Sequence, residues 1–488
     1  MIPDFIPATI PNWINGAEAL PGEVFDKLSP HTGGQLYRVA RSGANDVEQA
    51  IQVAIDAQPG WAALTPVQRG ELLHDIAQLM HRYQQDIAAV VALETGMSFS
   101  AAMGETGAAI AQGEFMAGEG RRFYGRTTTS ATPDKYASVV RQPMGVAGLI
   151  IAANTPIANV AWKVFPALIC GNAVILKAAE DTPATAWLFG RIAQEAGLPA
   201  GVLNIIQGSG EEAGAPLVAN AGVDVVSFTG STAVGRLVAA TAGERLAKVS
   251  LELGGKNALL VCDDADLGNA VDWTLLAAFS NAGQRCAAAS RIIVFDAVYD
   301  RFRESLVERT RLLKVGPDDG DDLGPVINEK QLDNMLAIVE RARQAGASII
   351  IGGHRLDDEA HAKGFYVAPT LIENVHPHDE ISVTELFGPI SCLYRVADFA
   401  EALHMANDSP YGLTAAIHTR SIHRATEFTQ KVQAGVAVVN GGTHGSEPHM
   451  PFGGLKQSGN GSREPGTEAL DVYSELKDIY ININPGLL

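Results

Sequence analysis

The sequence predicts an α/β protein built from two units with largely parallel sheets and a small projecting β arm. Three observations carry that expectation. From about residue 145 to 262 short apolar runs alternate with helix-length amphipathic stretches, and a second such alternation follows to about residue 440. Two further extended stretches, 124–143 and Val472–Ile483, have no neighbouring pattern that would cover them.

Taken in order, residues 46–118 are predicted helical. Asp46 onward and the stretch from Pro66 through Leu93 place apolar residues at three- and four-residue steps. Strands are then expected at Val146–Ile151, Ala173–Lys177, Val202–Gln207 and Val223–Phe228. Between and after them fall helices at Ile157–Cys170, Pro183–Ala196, Ala213–Ala219 and Thr232–Ala242. Strands separated by helices of this length imply parallel βαβ units, an arrangement that suits nucleotide binding. The second region should hold strands at Ala258–Val261, Arg291–Phe295, Ser348–Ile351, Ser391–Val396, Thr414–His418 and Val436–Asn440. Its helices are expected at Asp300–Leu313, Glu329–Ala345 and Ser421–Val432. The alternating segment Val472–Ile483 should pair outside its own unit, with the Thr-rich stretch 124–143 as candidate partner. An open strand pair of this kind is an edge that self-association would protect.

The totals narrow the function classes. A chain of 488 residues is long enough for two or three domains, and 47% hydrophobic with 19% charged residues describes a globular protein. A net charge of −19 argues against a nucleic-acid partner, because phosphate binding needs concentrated Lys and Arg. The four cysteines, Cys170, Cys262, Cys286 and Cys392, show no CxxC spacing and suggest neither zinc nor a disulfide framework. Cytoplasmic residence is the resulting expectation. The opening Met1-Ile-Pro-Asp-Phe-Ile-Pro does not read as a signal peptide, and no apolar run approaches the roughly 18 residues of a spanning helix, so no membrane partner is expected.

Four segments could carry chemistry. In Asn281-Ala-Gly-Gln-Arg-Cys286, a thiol follows Gly-Gln among small residues, as a reachable nucleophile on a tight turn would. Taken alone, Cys286 could equally be a small core residue, the reading given to the other three cysteines. Glu252, in Leu251-Glu-Leu-Gly-Gly-Lys256-Asn257, is flanked by leucines, and partial burial would raise its pKa toward that of a general base. Asn154 follows a strand and opens a helix, where it could aim an amide at an oxyanion or serve as a plain N-cap. Phe228-Thr-Gly230-Ser231-Thr-Ala-Val-Gly235 is a strand, a Gly turn and a helix start suited to a pyrophosphate. With Gly208-Ser-Gly210 it offers two Gly-rich strand ends, neither matching the usual dinucleotide fingerprint.

Together these segments resemble the aldehyde dehydrogenase superfamily. The matching stretches are Trp162–Leu168, Gly171–Glu180, Phe228–Gly235, Leu251–Lys256, Gly283–Cys286, Glu385–Pro389 and Pro451–Lys456, in family order from about residue 20 to the end. The resemblance implies a Rossmann-like NAD-binding domain (1–122 and 145–254), an α/β catalytic domain (255–467) and oligomerisation strands (123–144 and 468–488) of a homodimer or homotetramer. It implies that Cys286 attacks the aldehyde carbon, that Asn154 and the Cys286 amide hold the oxyanion, and that Glu252 activates water against the thioester, with Lys163 relaying the proton. Lys177 and Glu180 would hold the adenosine ribose, Gly230 and Ser231 the pyrophosphate, and Glu385 and Phe387 the nicotinamide end. Ile150, Gly210, Phe228, Val234 and Leu253 complete the expected cofactor contacts. A carboxylate at Glu180 favours NAD over NADP, since it accepts from both ribose hydroxyls and repels a 2′-phosphate, although the adjacent Lys177 softens that preference.

Departures from the family pattern bear on the substrate. Thr155 and Ser446 stand where larger aromatics often line the aldehyde tunnel, while Trp162 and Phe452 remain, so the pocket should be wider or more polar. Nearby side chains could also refill that space. Arg285 beside the nucleophile resembles members acting on semialdehydes that carry a distal carboxylate, which its guanidinium could bind bidentately; a structural ion pair is the other reading. The loop with Gly445 and Ser446 would receive that carboxylate through backbone amides. His444, Glu447 and His449 match no standard metal spacing, and no metal is expected. Alternatives kept in view are a polar aromatic aldehyde, a CoA-acylating variant and a catalytically silent relative.

Overall fold

A computed structural model describes residues 2–20 and 22–484. Met1, which opens the N-terminal stretch read above, Pro21, and the last four residues of the expected C-terminal arm lie outside the described residues.

Five parallel strands form the heart of the first sheet, in the spatial order Lys248–Glu252, Val225–Thr229, Val146–Ile150, Ala173–Lys177 and Leu203–Ile206. The short N-terminal strands Asn12–Ile14 and Ala17–Ala19 extend it antiparallel, Trp13 pairing with Ile205. Val146–Ile150 and Ala173–Lys177 are buried at every position. That follows from helices covering both faces of a parallel sheet, and it is why these strands read as unbroken apolar runs. From Val146–Ile150 the chain winds outward to Leu203–Ile206, then returns to the opposite side at Val225–Thr229. The order therefore reverses between Val146–Ile150 and Val225–Thr229, and the crevice beyond the carboxyl ends of such strands is where doubly wound sheets bind ligands. Asn154, Gly230 and Glu252 all lie at or just after those ends.

The second sheet runs Ser348–Ile351, Thr370–Glu373, Ile390–Val396, Ala289–Phe295, Asn257–Val261, Thr414–His418 and Val436–Val439. It is parallel except for its Ser348–Ile351 edge. Each large sheet has its own apolar core. The α/β class and its parallel sheets are thus as expected.

Ser474–Asn482 pairs antiparallel with Lys135–Pro143 across nine residues, from Ser474 opposite Pro143 to Asn482 opposite Lys135. This is the pairing anticipated between the two uncovered segments, with Arg126–Thr128 as a third strand. Its surface exposes Tyr136, Val140, Leu476, Tyr480 and Ile481.

Several local expectations are corrected. Residues 469–473, partly included in the expected terminal strand, form a helical turn. The expected helix at Ala213–Ala219 begins earlier with a π turn over Gly210–Gly214, where Ser209 Oγ accepts from the Glu212 amide. The strand at Val436 stops at Val439 because Asn440 adopts φ +56°. The helical region expected over 46–118 resolves into four helices, Ala44–Ala63, Pro66–Arg82, Gln84–Thr95 and Phe99–Glu119. In the last of these, a Cβ on Gly113 would stand 2.7 Å from the Phe165 ring. The missing side chain lets that helix lie close against Pro156–Ile169, which carries Trp162 and Lys163. No described helix is long and apolar enough to cross a membrane.

Candidate active site

The turn before Cys286 is built by backbone conformations few residues accept. Asn281, Ala282 and Gly283 have φ of 53°, 51° and 67° in succession. Asn tolerates the left-handed region, whereas Ala282 costs about 1 kcal/mol there. At Gly283 a Cβ would lie 2.2 Å from the Gly388 carbonyl oxygen, so the close approach itself requires glycine. Hydrogen bonds hold the turn. Asn154 Nδ2 donates to the Gln284 carbonyl at 3.0 Å, and Asn281 Nδ2 donates to the Asn154 carbonyl at 3.1 Å. Asn257 Nδ2 donates to the carbonyls of Cys286 and Ala288 at 2.8 and 2.9 Å. The helix after Asn154 starts at Pro156 with Thr155 as its cap residue, so Asn154 is not its N-cap.

Two cavities meet at this turn, and Asn154, Thr155, Ala158, Trp162 and Cys286 line both. The first also brings together Gly230, Ser231, Glu252, Leu253, Glu385 and Phe387. The second carries Arg285, Gly445, Ser446 and Phe452, with the Phe452 ring tilted against Trp162 at 5.5 Å between centroids. Cys286 is half-buried, whereas Cys170, Cys262 and Cys392 are at most 1% exposed. Burial pushes the Cys170 and Cys262 thiols up to about 12. Burial raises Cys286 too, and the nearby Glu252 and Glu385 carboxylates add to it. These effects favour the thiol form of Cys286, so its use as a nucleophile requires a proton acceptor.

Glu252 ends the Lys248–Glu252 strand, buried, with Oε1 free of any hydrogen-bond partner. Its pKa lies well above the ordinary carboxylate range, first through burial and then through Glu464, with Lys163 opposing. Lys163 lies behind it, 1% exposed, its Nζ donating to Ser227 Oγ at 2.5 Å and to Glu464 Oε2 at 2.8 Å. The other Glu464 oxygen accepts from Ser227, Ser250 and Tyr473 hydroxyls at 2.7, 3.0 and 3.2 Å. Both carboxylate oxygens are thus hydrogen-bonded, the condition under which a buried ion pair is tolerated. Lys163→Met should strand the Glu464 charge and cost about 3 kcal/mol of folding free energy, read from urea denaturation midpoints. An unchanged midpoint would show that losing Lys163 leaves no unpaired buried charge on Glu464.

The expected cofactor residues divide into two places. Besides those lining the first cavity, Ile150 and Phe228 are buried in their strands and Val234 is exposed on the Thr232–Glu244 helix. Gly230 could carry no Cβ without meeting the Phe228 ring at 2.5 Å, and Ser231 Oγ caps the Thr232–Glu244 helix by accepting from Val234. Glu385 Oε1 accepts from the Gly255 amide at 3.0 Å, and burial pushes its carboxyl up to about 7. Phe387 has φ +55°. Lys177, Glu180 and Gly210 form a separate cluster at the neighbouring strand ends. There Glu180, half exposed, accepts from the Gly210 amide at 2.5 Å and lies 3.5 Å from Lys177 Nζ, whose pKa burial lowers.

Arg285 is half-buried beside Cys286 with Nε lacking a partner. His449 pairs with Glu447 at 3.4 Å, while burial drives His444 down to about 4. Glu464, Ser227, Asn257 and Glu105 all belong to this neighbourhood and none was singled out from the sequence. Asn257 stood at the edge of the Glu252 segment, but nothing local signals that its side chain reaches across to Cys286.

Comparison with known proteins agrees with this arrangement. The chain matches the group described as "Aldehyde dehydrogenase family" over residues 13–479. It is 38% identical over 475 residues to the alpha-ketoglutaric semialdehyde dehydrogenase of Bacillus subtilis (strain 168), covering 96% of this chain and 97% of that protein. It is 37% identical over 475 residues to the succinate-semialdehyde dehydrogenase (NADP(+)) of Escherichia coli (strain K12), with coverage of 96% and 97%. Among solved structures, betaine aldehyde dehydrogenase from Staphylococcus aureus in complex with NAD+ superimposes with a TM-score of 0.95 at 32% identity, covering 98% of this chain and 95% of that one. A thiol where two cavities join, a buried carboxyl opposite it, and a match running nearly end to end have one reading: the chain belongs to the aldehyde dehydrogenase family.

Proposed function

We propose that the protein oxidises a carboxylated semialdehyde to the acid with NAD, through a thioester on Cys286 that water then cleaves. The observation that carries this reading is the position of Cys286 at the junction of two unlike cavities. One is lined by a Gly turn, a helix N-terminus and Glu385; the other by Arg285 and the Gly445–Ser446 backbone.

The residues present fit a dinucleotide. Gly230, held free of a side chain by the Phe228 ring, and Ser231 line the first cavity at the start of the Thr232–Glu244 helix, whose first amides suit a pyrophosphate. Gly230 and Ser231 would hold the phosphates, Glu180 and Lys177 the adenosine ribose, and Glu385 and Phe387 the nicotinamide end, with Ile150, Gly210, Phe228, Val234 and Leu253 around them. When bound, NAD supplies the hydride acceptor that takes the reaction from thiohemiacetal to thioester. Glu180 supports NAD; Lys177 keeps NADP, named for the Escherichia coli relative, within reach.

The chain does the rest. Cys286 gives up its thiol proton to solvent water, its sulfur adds to the aldehyde carbon, and Asn154 Nδ2 with the Cys286 amide stabilises the oxygen as it becomes negative. Glu252, the buried carboxyl with an unbonded oxygen, takes a proton from water as that water attacks the thioester, and Lys163 with Glu464 forms the polar route behind it. This intact base favours hydrolysis over transfer to CoA. Arg285 anchors the distal carboxylate with the backbone at Gly445 and Ser446, while Thr155 leaves room and Trp162 and Phe452 wall the stem. The names of the two semialdehyde relatives support the same substrate class.

The chain divides, on this reading, into a cofactor domain (1–122 and 145–254), a catalytic domain (255–467) and arm strands (123–144 and 468–488) that join copies into a homodimer or homotetramer. The apolar side chains exposed on the arm support self-association, and four unpaired cysteines support a cytoplasmic setting.

The deciding experiment compares Arg285→Ala with the unaltered enzyme on succinate semialdehyde and on butanal, following NADH absorbance. The KM for succinate semialdehyde should rise about tenfold or more relative to that for butanal. Equal effects on both substrates would remove the carboxylate anchor.

A further inference from the structure

The substrate cavity contains a carboxyl group that none of these roles uses. Glu105 projects from the Phe99–Glu119 helix and lines the cavity with Cys286, Arg285, His444 and Glu447. Its Oε1 accepts the amides of Ile157 and Ala158, in the first turn of Pro156–Ile169, at 2.9 and 3.2 Å. Its Oε2 is buried and has no hydrogen-bond partner, and the same holds for Arg285 Nε and His444 Nδ1. A buried polar atom left unpaired costs about 1–3 kcal/mol, so three around one cavity point to a polar ligand that completes them.

We propose that Glu105 is a specificity-determining residue for the carboxylated substrate, donating a hydrogen bond from a protonated Oε2 to the carboxylate that Arg285 holds. The inference rests on the anchor role of Arg285. An ionised Glu105 would meet an incoming carboxylate as a like charge, whereas a neutral one meets it as a donor. Oε1 is already committed to two backbone amides, which leaves Oε2 to carry the proton. Burial pushes the Glu105 carboxyl up to about 8, against the pull of those two amides and of Arg285. The other titratable groups facing the cavity do not supply this switch. His444 stays neutral above about 4, Arg285 stays cationic, Cys286 is held as a thiol, and Glu447 is exposed beside His449. Seating a second negative charge against Glu105 raises its pKa further, so carboxylate binding and proton retention reinforce each other.

The test is steady-state kinetics with succinate semialdehyde and butanal from about pH 6.5 to about pH 9.5, read as the ratio of the two KM values so that shared effects cancel. In the unaltered enzyme the ratio should be flat below Glu105's pKa and climb several-fold above it. Glu105→Gln keeps the acceptor for the backbone amides and a permanent donor, so its ratio should stay low and lose the climb. Glu105→Leu, lacking any donor, should raise the ratio about tenfold at every pH. A flat profile in the unaltered enzyme, or a climb that survives in Glu105→Gln, overturns the proposal. Arg285→Ala separates the two readings. If it raises the ratio while Glu105→Gln behaves like the unaltered enzyme, only the Glu105 role fails. If Arg285→Ala leaves the ratio unchanged, the anchor fails and the Glu105 proposal falls with it.

Discussion

Replacing Cys286 with Ala should abolish aldehyde-dependent NADH formation, by on the order of 10⁴-fold or more, while leaving the fold intact. The expected loss is large because no other thiol can substitute: Cys170, Cys262 and Cys392 are sealed in the two cores. The expected stability change is within about 1 kcal/mol, because the Cys286 side chain is half-buried between two cavities rather than packed in a core. Iodoacetamide gives a second readout. The native enzyme should take up one label per chain and Cys286→Ala none, as counted by intact-protein mass. Labelling should quicken as pH rises, since burial and the Glu252 and Glu385 carboxylates hold the resting sulfur in its thiol form. Turnover that persists in Cys286→Ala would remove the covalent route altogether.

Glu252→Gln should separate the two halves of the reaction. The first turnover needs the nucleophile, solvent water to take its thiol proton and the hydride acceptor, whereas the second half needs a base to activate the attacking water. A burst of NADH close to one equivalent per chain is expected, followed by a steady rate lower by about 10²–10⁴-fold. Mass spectrometry should then find the acyl group on Cys286. The pH dependence follows from the raised Glu252 pKa: the base form is scarce below it and fills in above it. The unaltered enzyme's steady rate should therefore climb beyond the ordinary carboxylate range, and Glu252→Gln should lack that limb. A variant that turns over steadily without a burst would assign the water-activating role elsewhere.

Legibility from sequence followed burial geometry. Val146–Ile150 and Ala173–Lys177, covered on both faces, had to be apolar throughout and could be located to within a residue. Lys248–Glu252 was missed because it lies at the end of the parallel run, where only its last three residues are buried. The N-terminal strands were missed for another reason. Asn12–Ile14 is three residues long and joins the large sheet through Ile205, nearly two hundred positions away. The site showed the same division. Cys286, Glu252 and Asn154 announced themselves through glycine-rich or strand-end settings, but Glu464 sits before a proline in a stretch without periodicity. Its importance comes from Lys163, 301 positions earlier.

What the sequence determined by itself was the α/β alternation, the pairing of the two uncovered arm segments and the ordered motifs around Cys286. These depend on local chemistry: apolar period, glycine turns and residue types set a few positions apart. The tertiary structure alone decided that Cys286 stands between two cavities, that Glu464 pairs with Lys163 behind Glu252, and that Glu105 and Arg285 line the same cavity. Each of those facts joins side chains from distant elements, and the protonation of a carboxyl depends on how much water and which charges the assembled fold leaves around it.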